Sequence, residues 1–274
     1  MSGTGPLGRK PAGVFNPDQT LYLEPTPKRL RVVVGGETIA DSRSAFMLHE
    51  TGHQPVYYLP VADLRSSVLE PSDRVTRCPK KGEASYWTIR AGESVVEAGA
   101  WYYPEPLPGA EWLRDLVAFY FDRMDHWYEE DEEIFVHPRD PYHRVDVVGS
   151  DRVVRVSLAG SVLAESSRAL ALFETGLPPR WYMPREDVAA VLEPSDTVTR
   201  CPYKGEAGYY SVDGVKDLVW YYEQPFAEVG RIAGLVCFFN EKVDLQLDGE
   251  LVQRPETPWS ATVRSDAPAQ AARG

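Results

Sequence analysis

The chain is poor in cysteine and in cationic residues, and it has no long apolar run. Its 274 residues contain three cysteines, Cys78, Cys201 and Cys237, and no two of them form a CxxC pair. The odd count excludes a disulfide framework, and the spacing excludes a four-cysteine zinc site. Lys and Arg number 29 against 41 Asp and Glu, a net charge of −12. That balance argues against a nucleic-acid partner, because affinity for phosphate backbones comes from clustered cations. No apolar stretch approaches the roughly 18 residues of a membrane-crossing helix, and the opening "MSGTGPLGRKPAGVFNPDQT" lacks the apolar centre of a signal peptide. A reduced, cytoplasmic chain without membrane association is expected. A glycine-rich phosphate loop and a spaced Asp pair suited to a metal nucleotide are also missing, and no other cofactor fingerprint takes their place.

What is present is a duplication. "LEPSDRVTRCPKKGEASY" (Leu69 to Tyr86) aligns with "LEPSDTVTRCPYKGEAGY" (Leu192 to Tyr209) at 15 of 18 identical positions. The match continues upstream, with "IADSRSAFMLHETG" against "LAESSRALALFETG", and downstream, with "AWYYPEPLP" against "VWYYEQPFA". Two units of roughly 110 residues follow, each large enough for its own core. β-branched residues around Gly-Gly and Asp-Gly turns read as hairpins. In the first copy the second hairpin is four residues longer, an excess expected in its turn. "VADLRSSVL" and "REDVAAVL" read as short helical turns. The fold class is therefore mainly β with minor helix. The expected divisions are an N-terminal disordered stretch (1–20), a first repeat domain (28–128), an acidic bridge (129–148), a second repeat domain (149–255) and a disordered tail (256–274). Ten acidic and three basic residues fall between Asp122 and Asp151, and such a run reads as a solvated segment, while the stretch from Trp127 to Asp146 that joins the units is too rich in Phe, Tyr, His and Arg for a flexible linker and is expected to pack.

The elements "FETGLPPRWYMP", "CPYKGEAGYYSV" and "WYYEQP", together with their first-copy counterparts and the connector "HPRDPYHRVD", resemble the bacterial and fungal family known as domain of unknown function 427, sometimes labelled nucleotidyltransferase-like. The resemblance covers about 220 residues. It implies a small twisted β-sheet tent in each half, similar to folds that hold zinc through paired CxxC knuckles. Without those knuckles this chain is expected to be metal-free. Nothing in its residues supports the transferase label.

The duplicated polar and aromatic residues are the candidates for function. Cys201 and Lys204 flank a turn leading into the Tyr209 strand, and a neighbouring lysine lowers a thiol pKa toward a nucleophilic thiolate. The same cysteine also suits a buried structural role or a ligand contact. Lys81 and Lys204 are read either as anion-binding groups or as salt-bridge partners of Glu50 and Glu174, each in an "ETG" triplet. Strand alternation puts Trp220 and Tyr222 on one face, as it does Trp101 and Tyr103. The candidate catalytic set is Cys201, Lys204, Glu174 and Tyr209, for acid–base or covalent chemistry. The candidate ligand-binding set is Lys81, Cys78, Tyr86, Trp220, Tyr222, Tyr182, Arg139 and Asp140, the last two docking the bridge. His137, Asp140 and His143 are metal-ligand types, but the two prolines of "HPRDP" keep them off a common helical face, and no metal is expected. The function expected is binding of a small molecule, with turnover left open. The alternative is a non-catalytic interaction or scaffold module.

Overall fold

The structure, a computed structural model, describes residues 14–16 and 21–263. It divides into two compact units, Met1–Tyr142 and His143–Gly274. Among the described residues the chain is mainly β, with only short 3-10 turns as helix, and every pairing between strands of the four sheets is antiparallel. No helix among the described residues is long and apolar enough to cross a membrane.

In the first unit the large sheet runs in the order Val14–Asn16, Leu21–Pro25, Phe46–Glu50, Val56–Pro60, Leu116–Phe119, Ser94–Tyr102, Gly82–Ala91, Leu69–Cys78. A small sheet of Glu132–Ile134, His126–Glu129, Leu30–Val34 and Glu37–Ser42 packs against one face of it. The second unit repeats the plan. Its large sheet runs Val145–Gly149, Leu170–Glu174, Arg180–Met183, Val236–Phe238, Val215–Tyr221, Gly205–Val212, Glu193–Cys201, and its small sheet Ser161–Ser166, Val154–Leu158, Asp244–Leu247, Glu250–Val252. Even the bulges recur, between Ser72 and Val75 in one unit and between Ser195 and Val198 in the other.

Alternation along each strand gives every large sheet two apolar faces. In the second unit Trp181, Met183, Val219 and Phe238 pack with the small sheet, whereas Tyr182, Trp220, Tyr222 and Cys237 pack on the opposite face. That opposite face also carries the candidate site.

Three expectations need correction. The extra length of the first copy's hairpin lies in its strands: Gly92-Glu93 and Asp213-Gly214 are both two-residue turns, between Ala91 and Ser94 and between Val212 and Val215. A two-residue turn matches strand twist, so length added in pairs extends the ladder. The acidic segment 129–148 is not a bridge separate from the repeats but is divided between the two units. Glu129 ends a strand of the first unit and is buried, hydrogen-bonded by Lys28 and by the Tyr57 hydroxyl, and Val145–Gly149 is an edge strand of the second unit. The Tyr142 hydroxyl, at the end of that segment, donates to Glu24 at 2.8 Å. The ends are also more structured than expected. Val14–Asn16 pairs with Leu21–Leu23, and Pro258–Val263 forms 3-10 turns; residues 1–13, 17–20 and 264–274 of the two stretches expected to be disordered lie outside the described residues.

Candidate functional site

The "CPYKG" turn joins the strands Glu193–Cys201 and Gly205–Val212, with Cys201 paired to Gly205. Gly205 has φ of +101°, where a Cβ is strained. This conformation lets the strand begin directly after Lys204, whose carbonyl accepts a hydrogen bond from the Phe226 amide at 3.1 Å. The first unit repeats the device with Gly82 at φ +110° and Leu107 N donating to Lys81 O at 3.0 Å. The lysine backbone is thus fixed by the loop that follows the "WYY" strand, and its side chain is directed back across the sheet.

There it meets the "ETG" acid. Lys204 is buried and ion-paired with Glu174, and the other carboxylate oxygen of Glu174 lies 3.0 Å from His143 Nε2. The His143 ring stacks on Tyr203, with centroids 4.0 Å apart. In the first unit Lys81 and Lys80 both contact Glu50, at 2.7 and 3.1 Å. Burial opposes ionisation of Glu50, but hydrogen bonds and charge from the two lysines outweigh it and hold the carboxyl below its usual range.

Around the Lys204–Glu174 pair the second unit forms a cavity of about 330 Å³. Glu174, Tyr182, Cys201, Lys204, Tyr209, Trp220 and Tyr222 all line it. The Trp220 indole donates to the Tyr182 hydroxyl at 2.8 Å in an edge-to-face contact, and the Tyr209 hydroxyl lies 2.7 Å from Thr199 Oγ1. Burial pushes the phenols of Tyr182, Tyr222 and Tyr209 up from their ordinary value, so they stay protonated at neutral pH and serve as hydrogen-bonding groups rather than bases. Cys237, on the apolar side of the same sheet face, is fully buried and its thiol is pushed up to about 12, which removes it as a nucleophile. Cys201, half-buried, lines the cavity.

Lys81, Cys78 and Tyr86 occupy the matching positions of the first unit, where the Tyr86 hydroxyl lies 2.7 Å from Thr76 Oγ1. Arg139 and Asp140 do not line the second unit's cavity; Asp140 accepts the amide of Tyr142 at 2.8 Å within its own turn. Among the described residues no group of three or more His, Cys, Asp and Glu is placed to hold a metal ion. A larger open groove of about 420 Å³ on the other face of the sheet, lined by Val148, Phe173, Trp181 and Leu247 among others, contains none of the duplicated polar residues.

Sequence reasoning missed the other residues lining the cavity, among them Arg180, Arg200, Phe239 and Trp259. Arg180 is buried and bonded to Glu241 through both terminal nitrogens, at 2.8 and 2.7 Å. Burial opposes its charge, yet the Glu241 hydrogen bonds raise its pKa above the ordinary arginine value, while Glu241 is held below the usual carboxylate range. The available signal was the departure of the second copy from the first, Arg180 in "PPRWYMP" against Val56 in "QPVYYLP". Trp259 lies in the segment assigned to the tail and has no counterpart in the first repeat.

No curated protein matches the sequence. Residues 22–130 and 146–249, one stretch in each unit, match the family described as domain of unknown function DUF427. With most of its length covered by these two matches, the chain belongs to the DUF427 family and carries its domain in two tandem copies.

Proposed function

We propose that the second unit binds a small organic molecule in the cavity beside Lys204 and Glu174, and that the chain does so in the reduced cytoplasm. One observation carries this reading. Seven residues singled out for their duplication or their chemistry, spread over five strands and a turn, converge on a concave site of ligand-binding size. The same geometry favours binding over turnover. The phenols are held protonated and Lys204 is committed to Glu174, so Cys201 is the wall residue left with nucleophilic chemistry.

A scaffold role has its own support: the Lys–Glu pair recurs in the first unit as Lys81–Glu50, as a structural ion pair would. Native mass spectrometry of the full chain separates the two. Binding predicts a co-purifying mass that is lost in Leu177→Trp, which places an indole at the half-buried cavity wall. An adduct that persists in Leu177→Trp, or no adduct together with no fragment bound at millimolar concentration, defeats the binding reading and leaves the scaffold.

A further inference from the structure

We infer that the ligand of the second unit is a planar aromatic anion, such as an aromatic carboxylate, and that Trp259 is the residue that selects for flatness. This rests on the proposed binding role of the cavity. Its walls include six aromatic side chains, and its volume is at the small end of the range for ligand pockets, about 300 to 1,000 Å³, which suits a molecule of one or two fused rings. Aromatic walls favour a flat partner because stacked rings gain beyond the area they bury.

The charge requirement comes from which polar groups face the cavity. Lys204 and Arg180 line it against a single carboxylate, Glu174, which Lys204 and His143 already engage, and Arg200 stands at the exposed rim, where it pairs with Glu206 at 3.3 Å. Glu241, the partner of Arg180, has a side chain with no solvent exposure and does not line the cavity. The guanidinium carries five N–H donors, and its bonds to Glu241 use two. An incoming carboxylate therefore meets N–H donors on a preorganised, always-charged group.

Trp259 supplies the outer wall. Its side chain is held over Arg180, whose guanidinium lies 5.3 Å from the Trp220 ring and 5.8 Å from the Trp259 ring, between two indoles. Thr257 fixes this arrangement by donating to Glu241 at 2.6 Å and accepting the Trp259 amide at 3.2 Å. Yet Trp259 remains 41% exposed. A large indole anchored at a cavity mouth and left half in water gains most when a flat ligand covers it.

The test titrates the full chain with three probes by calorimetry. These are 1-naphthoate, its neutral analogue 1-naphthamide, and the saturated, non-planar decahydro-1-naphthoate. Naphthoate is expected to bind at least tenfold tighter than either, and Trp259→Ala is expected to weaken naphthoate at least tenfold while leaving decahydronaphthoate unchanged. Equal affinity for naphthoate and naphthamide overturns the anion assignment. An unchanged naphthoate affinity in Trp259→Ala overturns the role of Trp259. If only naphthamide or decahydronaphthoate binds, and Leu177→Trp blocks it, or if no probe binds, the ligand class is wrong; the cavity's binding role then stands or falls separately, on the co-purifying mass and its loss in Leu177→Trp.

Discussion

The two units solve one problem in different ways. Each places a glutamate at the end of a strand, buried in the second unit and half-buried in the first, and brings a lysine across the sheet to meet it, but the second partner differs. In the first unit it is Lys80, a flexible cation next in sequence to Lys81; in the second it is His143, held flat against Tyr203. Beyond that pair the divergence grows. Where the first unit has Val56, the second has Arg180 bound to Glu241. Where the second has Thr197, bonded to Asp217 at 2.8 Å, the first has Arg74, whose guanidinium lies over the rings of Tyr86 and Tyr120, the counterparts of Tyr209 and Phe239. The first unit thus covers its aromatic surface with its own side chain, while the second leaves the matching walls around a cavity. Duplication preserved the frame, and a few substitutions at its mouth separated the two copies.

The largest expected effect tests the buried pair. Glu241→Ala strands the Arg180 charge and is expected to destabilise the second unit by about 3–5 kcal/mol, the usual cost of breaking a buried ion pair. Hydrogen exchange in urea, read separately for amides of the two units, should show the loss in the second unit and none in the first. The double variant Arg180→Val with Glu241→Gln, which adopts the first unit's apolar choice, should recover most of it. A loss shared equally by both units would break the comparison.

Next is the repeated lysine. Lys204→Met leaves Glu174 buried with only His143 beside it, and Lys81→Met leaves Glu50 with Lys80. We expect a loss of about 3 kcal/mol for the first substitution and about 1 kcal/mol for the second, since a retained cation still compensates Glu50. Equal losses would show that Lys80 and His143 are equivalent partners.

Acid sensitivity sharpens the same contrast. Because the Glu50 carboxyl is held below its usual range, it adds stability to the first unit above its unfolded-state pKa of about 4.3, and that contribution disappears as the pH falls through the lower folded-state value. Glu50→Gln should remove this part of the acid dependence from the first unit's melting temperature and leave the second unit's profile unchanged. A profile identical to the parent's would contradict the assignment. The smallest effect is expected from Arg74→Thr, which gives the first unit the second unit's residue. Loss of an exposed cation–π contact should cost about 0.5–1 kcal/mol, and the Tyr86 ring protons should shift in the NMR spectrum as the guanidinium leaves. Unshifted Tyr86 signals would mean that Arg74 does not cover that ring in solution.

The duplication and the β content were legible because they depend on short-range signals: identity at fixed spacing, period-two alternation, and turn residues such as Asp213-Gly214; the repeated Lys204 and Glu174 were legible as candidates, but their pairing joins positions 30 residues apart and came from the fold. The acidic run misled for a physical reason. Composition counts the charges of "EEDEE", but burial is decided one side chain at a time, and Glu129 alone turns inward to Lys28 and Tyr57. The tail misled in the same way, since "PWS" has no periodicity to read, yet Trp259 is fixed by a bond from its neighbour Thr257 to a carboxylate 16 residues earlier.

By itself the sequence determined that there are two copies of one antiparallel unit, and which residues each copy repeats, because local pattern and self-comparison carry that information. Only the tertiary structure decided which residues line and close the cavity on the face of the second sheet that carries the duplicated polar groups. That choice depends on strand register bringing Arg180 opposite Leu172, on Glu241 being buried behind it, and on a segment outside the repeat folding back across the opening. These contacts join residues distant in the chain, and no spacing along the sequence records them.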